Sequence, residues 1–347
     1  RKYMAKEGLR LRQPFSHLTY IPTAEELIDV AFRRASKVEV QFSDRDTSIM
    51  KARKRETMRI KTVPPTLINR LRGIIKEMPR LDTIDPFYNE LANAIIGIDK
   101  LKKNLGALNW AANMIEELSK RSLQKMKGVR DKGGAAKIRR EYYGRVASIM
   151  KQISPNLKLL EDARKELKKV PTVDLEESTI TVVVAGYVNV GKSTYVKAVS
   201  SAKPTIEPYP FTTKGLVLGH RETKYGTIQV VDTPGLLDRP LRERNRIELQ
   251  AIIALKYLAK AVTFLFDPST TCGYDFEKQM NLYHEVRKEF ENVRVIPVFN
   301  KIDLLSDGMI GEARDLLGAD VMLMSAEKNI GVQEVLDTAL EKAVKKK

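Results

Sequence analysis

Thr179-Ile-Thr-Val-Val-Val-Ala185, followed by Gly186-Tyr-Val-Asn-Val-Gly191-Lys192-Ser193, is the stretch that decides the fold of this chain. The first seven residues are apolar or β-branched and read as a buried strand. The octet after them matches G-x-x-x-x-G-K-[ST] in full, and Thr194 to Val199 continues as a helix. Strand, Gly-rich loop and helix in that order make a phosphate-binding loop. Glycines let successive backbone N–H groups converge on phosphate oxygens, and the helix N-terminus adds partial positive charge. Gly186, Asn189, Val190, Gly191, Lys192, Ser193 and Thr194 are therefore the expected phosphate-side residues. Lys192 is expected to bridge the β- and γ-phosphates and Ser193 to hold Mg²⁺.

A phosphate loop alone does not choose the base; three later motifs do. Asp232-Thr-Pro-Gly235 follows the strand Thr227 to Val231. Its carboxylate is suited to Mg²⁺ through water, and the Gly235 N–H to the γ-phosphate. Asn300-Lys301-Ile302-Asp303 follows Val293 to Phe299. The Asp303 carboxylate can accept from both N1–H and the N2 amino group of guanine. Adenine offers no such pair and would leave the carboxylate unpaired. Ser325-Ala326-Glu327 follows Val321 to Met324, with the Ala326 N–H expected at guanine O6. Each short motif is weak alone, but their order and their positions at strand ends are specific to GTP and GDP as ligands. Pro208-Tyr-Pro-Phe-Thr212-Thr213-Lys214 lies where a threonine completes Mg²⁺ coordination. Thr213 is preferred because it precedes the strand Leu216 to His220 more closely, with Thr212 the alternative. The expected metal set is Ser193, Thr213 and Asp232, and the expected catalytic set Lys192, Thr213 and Gly235.

The chain has 347 residues, enough for two domains. Lys and Arg total 61 against 44 Asp and Glu, a net charge of +17. Residues 1–175 hold 38 basic and 21 acidic groups, whereas residues 176–347 hold 23 of each. One half carries the whole excess, which favours a polyanion partner. Cys272 is the sole cysteine, so an intrachain disulfide and a Cys-based zinc site are excluded, and His17, His220 and His284 lie far apart. No apolar run approaches the length of a membrane span and no secretory signal opens the chain, so a cytoplasmic protein with no membrane insertion is expected; a monomer is the expected state. Pro171 ends a helical pattern. The expected organisation is a basic helical bundle over 1–170, a linker over 171–178 and a nucleotide-binding domain over 179–347.

Within the first half, Thr23-Ala-Glu-Glu26 is a capping box that starts a helix through about Ala35. A second helix is expected from about Pro65, and a third from Asp85-Pro86 with an apolar stripe (Ile98, Leu101, Leu105, Leu108, Ala112, Ile115), bent at Gly97 or Gly106. Gly133-Gly134 should break the chain before helices over about 135–153 and 156–169. Val38 to Phe42 alternates like a strand. Lys51 to Lys61 is the densest basic run, and Lys51, Arg53, Lys54, Arg55, Arg59 and Lys61 are the candidate nucleic-acid contacts. In the second half, residues 241–260 read as a helix with Ile247, Ala251, Ala254 or Leu255, and Leu258 inward. Arg242, Arg244 and Arg246 could stabilise transition-state charge but are expected first in solvent or partner contacts, and Cys272 reads as a structural or incidental thiol.

GYVNVGKS, PYPFTTK, DTPG and NKID resemble the Obg-like branch of translation-factor-related GTPases. Leu236-Leu-Asp-Arg-Pro-Leu-Arg-Glu-Arg-Asn245-Arg-Ile-Glu248-Leu-Gln250-Ala-Ile is similar to the Nog family, the nucleolar GTP-binding proteins and their archaeal relatives. Ile21–Asp29 and Leu81–Leu91 look like that family's N-terminal helical domain. The resemblance covers nearly the whole chain. Eukaryotic members carry a long C-terminal extension, which implies an archaeal-type member here. It implies an α/β fold, a Ras-like P-loop GTPase domain with a mostly parallel six-stranded sheet, preceded by an all-α helical bundle. It also implies a switch in large ribosomal subunit assembly, with the helical domain docking on ribosomal RNA and with large-subunit ribosomal proteins or assembly factors as partners. The alternative is an RNA-binding assembly scaffold that uses GTP mainly as a structural ligand. Leu237, two residues after Gly235, cannot polarise water, so slow intrinsic hydrolysis is expected. Asn189 matches the asparagine that potassium-activated relatives use as an ion ligand, which adds K⁺ as a candidate cofactor.

If the run at 51–61 meets RNA phosphates, log affinity for RNA should fall steeply with log salt. Neutralising Lys51, Arg53, Lys54 and Arg55 together should reduce that slope by about 0.7–0.9 per lost contact. A slope identical to wild type in a salt titration would move the contact elsewhere.

Overall fold

The computed structural model describes residues 13–344 except 177, 211, 213, 224, 225 and 319. They fall into two compact units. One comprises Phe15–Leu81 and Ile96–Lys168. The other comprises Asp82–Ile95 and the chain from Lys169 onward, together with residues 13–14.

The first unit is helical. α1 (Ala24–Ser36) starts at Thr23, whose hydroxyl accepts from the Glu26 N–H while the Glu26 carboxylate accepts from the Thr23 N–H. It buries Ala24, Leu27, Ala31 and Ala35, and Phe32 stacks on Tyr143 at 4.2 Å. α2 (Ser48–Glu77) is one helix of 30 residues, so the expected start at Pro65 is corrected. Pro64 and Pro65 lie inside it without ending it. Val63, Leu67, Ile68, Leu71 and Ile74 anchor the same face in the core. The hydroxyls of Thr62 and Thr66 donate back to the carbonyls of Met58 and Thr62. The alternating Val38–Phe42 forms no strand, since no neighbouring strand exists for it to pair with in this unit.

α4 (Ile98–Lys127) carries the apolar stripe, with Leu101, Leu108, Ala112 and Ile115 buried, and Gly106 does not interrupt it. α5 (Lys132–Gln152) begins before Gly133-Gly134, because the Asp131 carboxylate caps the Gly134 N–H and holds both glycines in the first turn. α6 (Ser154–Leu167) follows with proline in its first turn.

α3 (Pro86–Ile95) ends short of Gly97, which adopts φ 82° and separates it fully from α4. Phe87, Tyr88, Leu91 and Ala92 are buried. The sequence reading put this segment in the helical bundle, but its packing groups it with the second unit. There α3 lies on α8 (Arg246–Leu258). The Tyr88 hydroxyl donates to the Pro171 carbonyl at 3.1 Å. Phe87 stacks against Tyr209, whose hydroxyl donates to the Ala251 carbonyl of α8 at 2.7 Å.

The second unit is a seven-stranded sheet rather than the expected six. The strands are β1 (Ile180–Ala185), β2 (Thr205–Glu207), β3 (Leu216–Thr223), β4 (Gly226–Asp232), β5 (Ala261–Phe266), β6 (Arg294–Phe299) and β7 (Met322–Leu323). Their order is β2-β3-β4-β1-β5-β6-β7. The extra strand is the three-residue edge β2, antiparallel to β3. β3 pairs antiparallel with β4, as expected for the strand before Asp232, and all other pairs are parallel. β1 and β5 are buried along their whole length, the burial expected of central parallel strands. α7 (Lys192–Val199) and α11 (Val332–Val344) pack on the sheet and on each other, and α9 (Phe276–Glu289) packs on β5. α10 (Asp307–Leu317) completes the set. Ile247 is 42% exposed rather than inward, since α8 turns Ala251, Ile252, Leu255 and Leu258 to the core.

Phe87→Ala should destabilise the second unit by about 3–5 kcal/mol. The unfolding transition followed at Trp110 of α4, in the first unit, should stay in place. A loss seen equally at Trp110 would assign α3 energetically to the helical unit.

Candidate functional site: a nucleotide cleft at the strand ends

A cleft of about 780 Å³ opens at the carboxyl ends of the parallel strands. It is lined by Asn189, Gly191, Lys192, Ser193, Thr194, Asp232, Gly235, Asn300, Lys301, Asp303, Ser325 and Glu327, which the sequence singled out, and by Lys214, Asp238 and Thr271, which it did not. Open parallel sheets bind ligands at this end.

The loop after β1 owes its shape to its glycines. Gly186 has φ 134°, and a Cβ there would lie 2.4 Å from the Leu265 carbonyl oxygen. Gly191 has φ 100°, and a Cβ there would lie 2.2 Å from Asn300 Nδ2. Asn189 itself takes a left-handed conformation, φ 63°. Lys192 is buried, and its ammonium donates to the carbonyls of Gly186 (2.9 Å) and Tyr187 (2.7 Å). Burial pushes its pKa down, against the pull of Asp232 and Asp238. Val190 lies behind the loop, its carbonyl accepting from Asn300 Nδ2 at 2.8 Å.

The Ser193 hydroxyl donates to Asp232 Oδ2 at 2.8 Å. Asp232 is buried, and its Oδ1 lacks a hydrogen-bond partner. Burial pushes its carboxyl pKa up, opposed by Lys192 and Ser193. A hydroxyl beside a buried carboxylate oxygen with spare lone pairs fits Mg²⁺, which takes one or two protein oxygens and fills its octahedron with water and phosphate. Among the described residues no cluster of three or more His, Cys, Asp or Glu forms an all-protein metal cage. Thr212 is spent locally, donating to the Tyr209 carbonyl and accepting from the Gly215 N–H. Thr213, the preferred metal ligand, lies outside the described residues.

At the base side, Asn300 is buried and joins three segments. Besides its bond to Val190, its Oδ1 accepts from the Ala326 N–H at 2.9 Å. That N–H, expected at a purine oxygen, thus has a protein acceptor. Ser325 is buried, and its hydroxyl accepts from the Lys328 N–H. Asp303 sits exposed in a short 3-10 turn, with Glu327 exposed across the cleft.

Lys301 is held by a residue the sequence reading missed. Its ammonium donates to Asp267 Oδ2 at 2.7 Å and to the Thr271 hydroxyl at 2.9 Å. Asp267 is fully buried and also accepts from Thr271 Oγ1, the Cys272 N–H and Ser269. Burial opposes its ionisation, but Lys301, Ser269 and Thr271 outweigh it and keep the carboxyl low. The signal was present as an acidic residue ending β5 before Pro-Ser-Thr-Thr, a loop read there only for its cysteine. Cys272 is buried beside Gln279 in that loop.

Arg244 corrects a second reading. Its side chain is fully buried, not solvated. It donates to the Gly235 carbonyl at 2.6 Å and to Asp238 Oδ1 at 3.1 Å, with Glu248 3.6 Å away. Leu237 is also buried, and its carbonyl accepts from the Gly186 N–H.

Not all of the basic run faces outward unpaired. In the helical unit Lys54 pairs with Asp46 and Arg59 with Glu56, and Arg53 donates to the Lys127 carbonyl. Lys51 and Arg55 lie over the Phe42 ring, while Lys61 is exposed.

This sheet order with a phosphate loop after β1 defines a Ras-like P-loop GTPase domain, preceded by an all-α helical domain. Two family models match the chain: the NOG1 N-terminal helical domain over residues 15–174 and nucleolar GTP-binding protein 1 (NOG1) over residues 246–303. An uncharacterised protein of Methanocaldococcus jannaschii is 40% identical over 299 residues, 86% of this chain and 83% of that protein. Nucleolar GTP-binding protein 1 of Drosophila melanogaster is 34% identical over 336 residues, 94% of this chain and 51% of its own. A crystal structure of nucleolar GTP-binding protein 1 from Plasmodium falciparum matches with TM-score 0.43 and 30% identity, over 51% of this chain and 91% of that one. The chain belongs to the nucleolar GTP-binding protein 1 family. It spans about half the length of most of the eukaryotic relatives it matches. No helix among the described residues is long and apolar enough to cross a membrane.

Asp303→Asn should shift nucleotide preference from guanine toward xanthine, because an amide offers a donor where guanine needs an acceptor. Competition of GTP and XTP for the purified protein reads this directly, and an unchanged preference would remove Asp303 from the base site.

Proposed function

We propose that this chain binds GTP with Mg²⁺, hydrolyses it slowly, and acts as a monomeric switch in large ribosomal subunit assembly in the cytoplasm. Its helical unit docks on ribosomal RNA, beside large-subunit proteins or assembly factors. The observation that carries the nucleotide reading is the convergence of Lys192, the Ser193–Asp232 pair and the Asn300 bridge on one cleft. The relatives' name, nucleolar GTP-binding protein 1, supports the nucleotide and, through the nucleolus, the link to ribosome assembly; the cytoplasmic location is the expectation for this chain alone.

The residues divide the work. Lys192 neutralises phosphate charge, Ser193 and Asp232 would hold Mg²⁺, and Asp303 selects guanine. When bound, Mg²⁺ supplies electrostatic stabilisation of the charge that builds on the transferring phosphoryl group. Leu237 supports slow turnover, because a buried apolar side chain cannot orient water. The same observation favours the second reading, a scaffold in which GTP is mainly structural. Holding a hydrolysis-blocked variant against wild type for release from ribosomal precursor particles separates the two.

Lys192→Ala should reduce GTP turnover by at least about 10²-fold, the scale of losing a preorganised cationic contact. Turnover measured in K⁺ and Na⁺ salts with RNA present should differ if Asn189 holds a monovalent ion. Equal rates would leave that asparagine bracing the loop only.

A further inference from the structure

Gly235 is gripped through both of its backbone polar groups. Its N–H donates to Asp238 Oδ2 at 2.7 Å, and its carbonyl accepts from Arg244 Nη1 at 2.6 Å. The other Asp238 oxygen accepts from Arg244 Nη2 at 3.1 Å, closing a ring of three hydrogen bonds over three groups. Arg244 is fully buried, and its second acidic neighbour, Glu248, is fixed in turn. Glu248 accepts from Arg239 at 2.8 Å and from the Asn245 N–H at 2.9 Å as the capping box of α8. Asp238 is not merely a structural partner, because it lines the nucleotide cleft together with Gly235 and Lys192. Its charge is felt at both Lys192 and Asp232.

We propose that Asp238 is a specificity-determining residue that sets the balance between triphosphate and diphosphate at this site, by competing with the terminal phosphate for the Gly235 N–H. The inference rests on the GTP reading above. A carboxylate that accepts a backbone N–H at 2.7 Å does what a phosphate oxygen would do at the same donor. The two acceptors are both anionic and cannot share one N–H, so a γ-phosphate must displace Asp238 and tolerate its charge nearby. A diphosphate, which ends short of Gly235, leaves the ring intact. Arg244 is the positioning residue. It keeps Asp238 aimed, and it remains bonded to the Gly235 carbonyl when the N–H changes partner. The site is thereby biased toward the diphosphate by a built-in acceptor, and Asp238 determines how strongly.

The test is the ratio of dissociation constants for GDP and a non-hydrolysable GTP analogue, measured with Mg²⁺ on the full chain. Asp238→Ala should move the ratio toward the triphosphate by about tenfold, since a charged competitor for a single N–H is removed. Asp238→Asn keeps an acceptor oxygen without the charge and should give an intermediate ratio. It also carries the test if the alanine variant fails to fold. Both constants changing by one common factor, or a ratio unchanged in the asparagine variant, would overturn the proposal. Wild type that binds neither nucleotide would overturn the GTP reading itself and this inference with it.

Discussion

Everything at the cleft hangs on one buried amide. Asn300 donates to the Val190 carbonyl and accepts from the Ala326 N–H, so a side chain at the end of β6 holds the phosphate loop and the 325–327 loop in register. The bond is close enough that residue 191 must be glycine, since any Cβ there would run into the amide nitrogen. An amide is the group for this task. It offers a donor and an acceptor in one plane, and both are satisfied without burying a charge. An aspartate would repel the Val190 carbonyl, and a leucine would orphan both backbone groups.

Around this tie the structure buries charges only where each has a counterpart. Lys192 faces Asp232 and Asp238, Lys301 faces Asp267, and Arg244 faces Asp238 and Glu248. Breaking one partner of such a pair costs far more than the pair contributes. These groups therefore specify the loops more than they stabilise the fold, whose weight rests on the apolar β1 and β5 and on the helices that cover them. Within the nucleotide cleft Asp232 also keeps one carboxylate oxygen unpartnered in a buried place. That is the position where a cation has most to offer.

Much of this was legible from residue order. Capping boxes, the glycine loop and strand-end motifs are local signals, and α1, the sheet and the cleft follow from them. What could not be read depended on partners distant in sequence. Pro64 and Pro65 argue locally for a helix start, yet a continuous apolar face on both sides keeps α2 whole. Val38–Phe42 alternates, but alternation makes a strand only beside another strand. Asp85-Pro86 announces a helix without saying what it packs on, and only α8, some 150 residues later, decides that. Asp267, Asp238 and Arg244 belong to no short motif, and their importance comes from burial, which a sequence does not display.

The position of α3 in the chain has a consequence for synthesis. Phe87, Tyr88 and Leu91 leave the ribosome early, but the helix they lie against, α8, is translated only at residues 246–258. At about 5–20 residues per second this interval lasts on the order of ten to thirty seconds. During it the helical unit has all of its own sequence by residue 168 and can close, while α3 waits with its apolar face uncovered. The nascent chain thus carries a delayed junction, sealed only when the nucleotide-binding unit reaches its third helix.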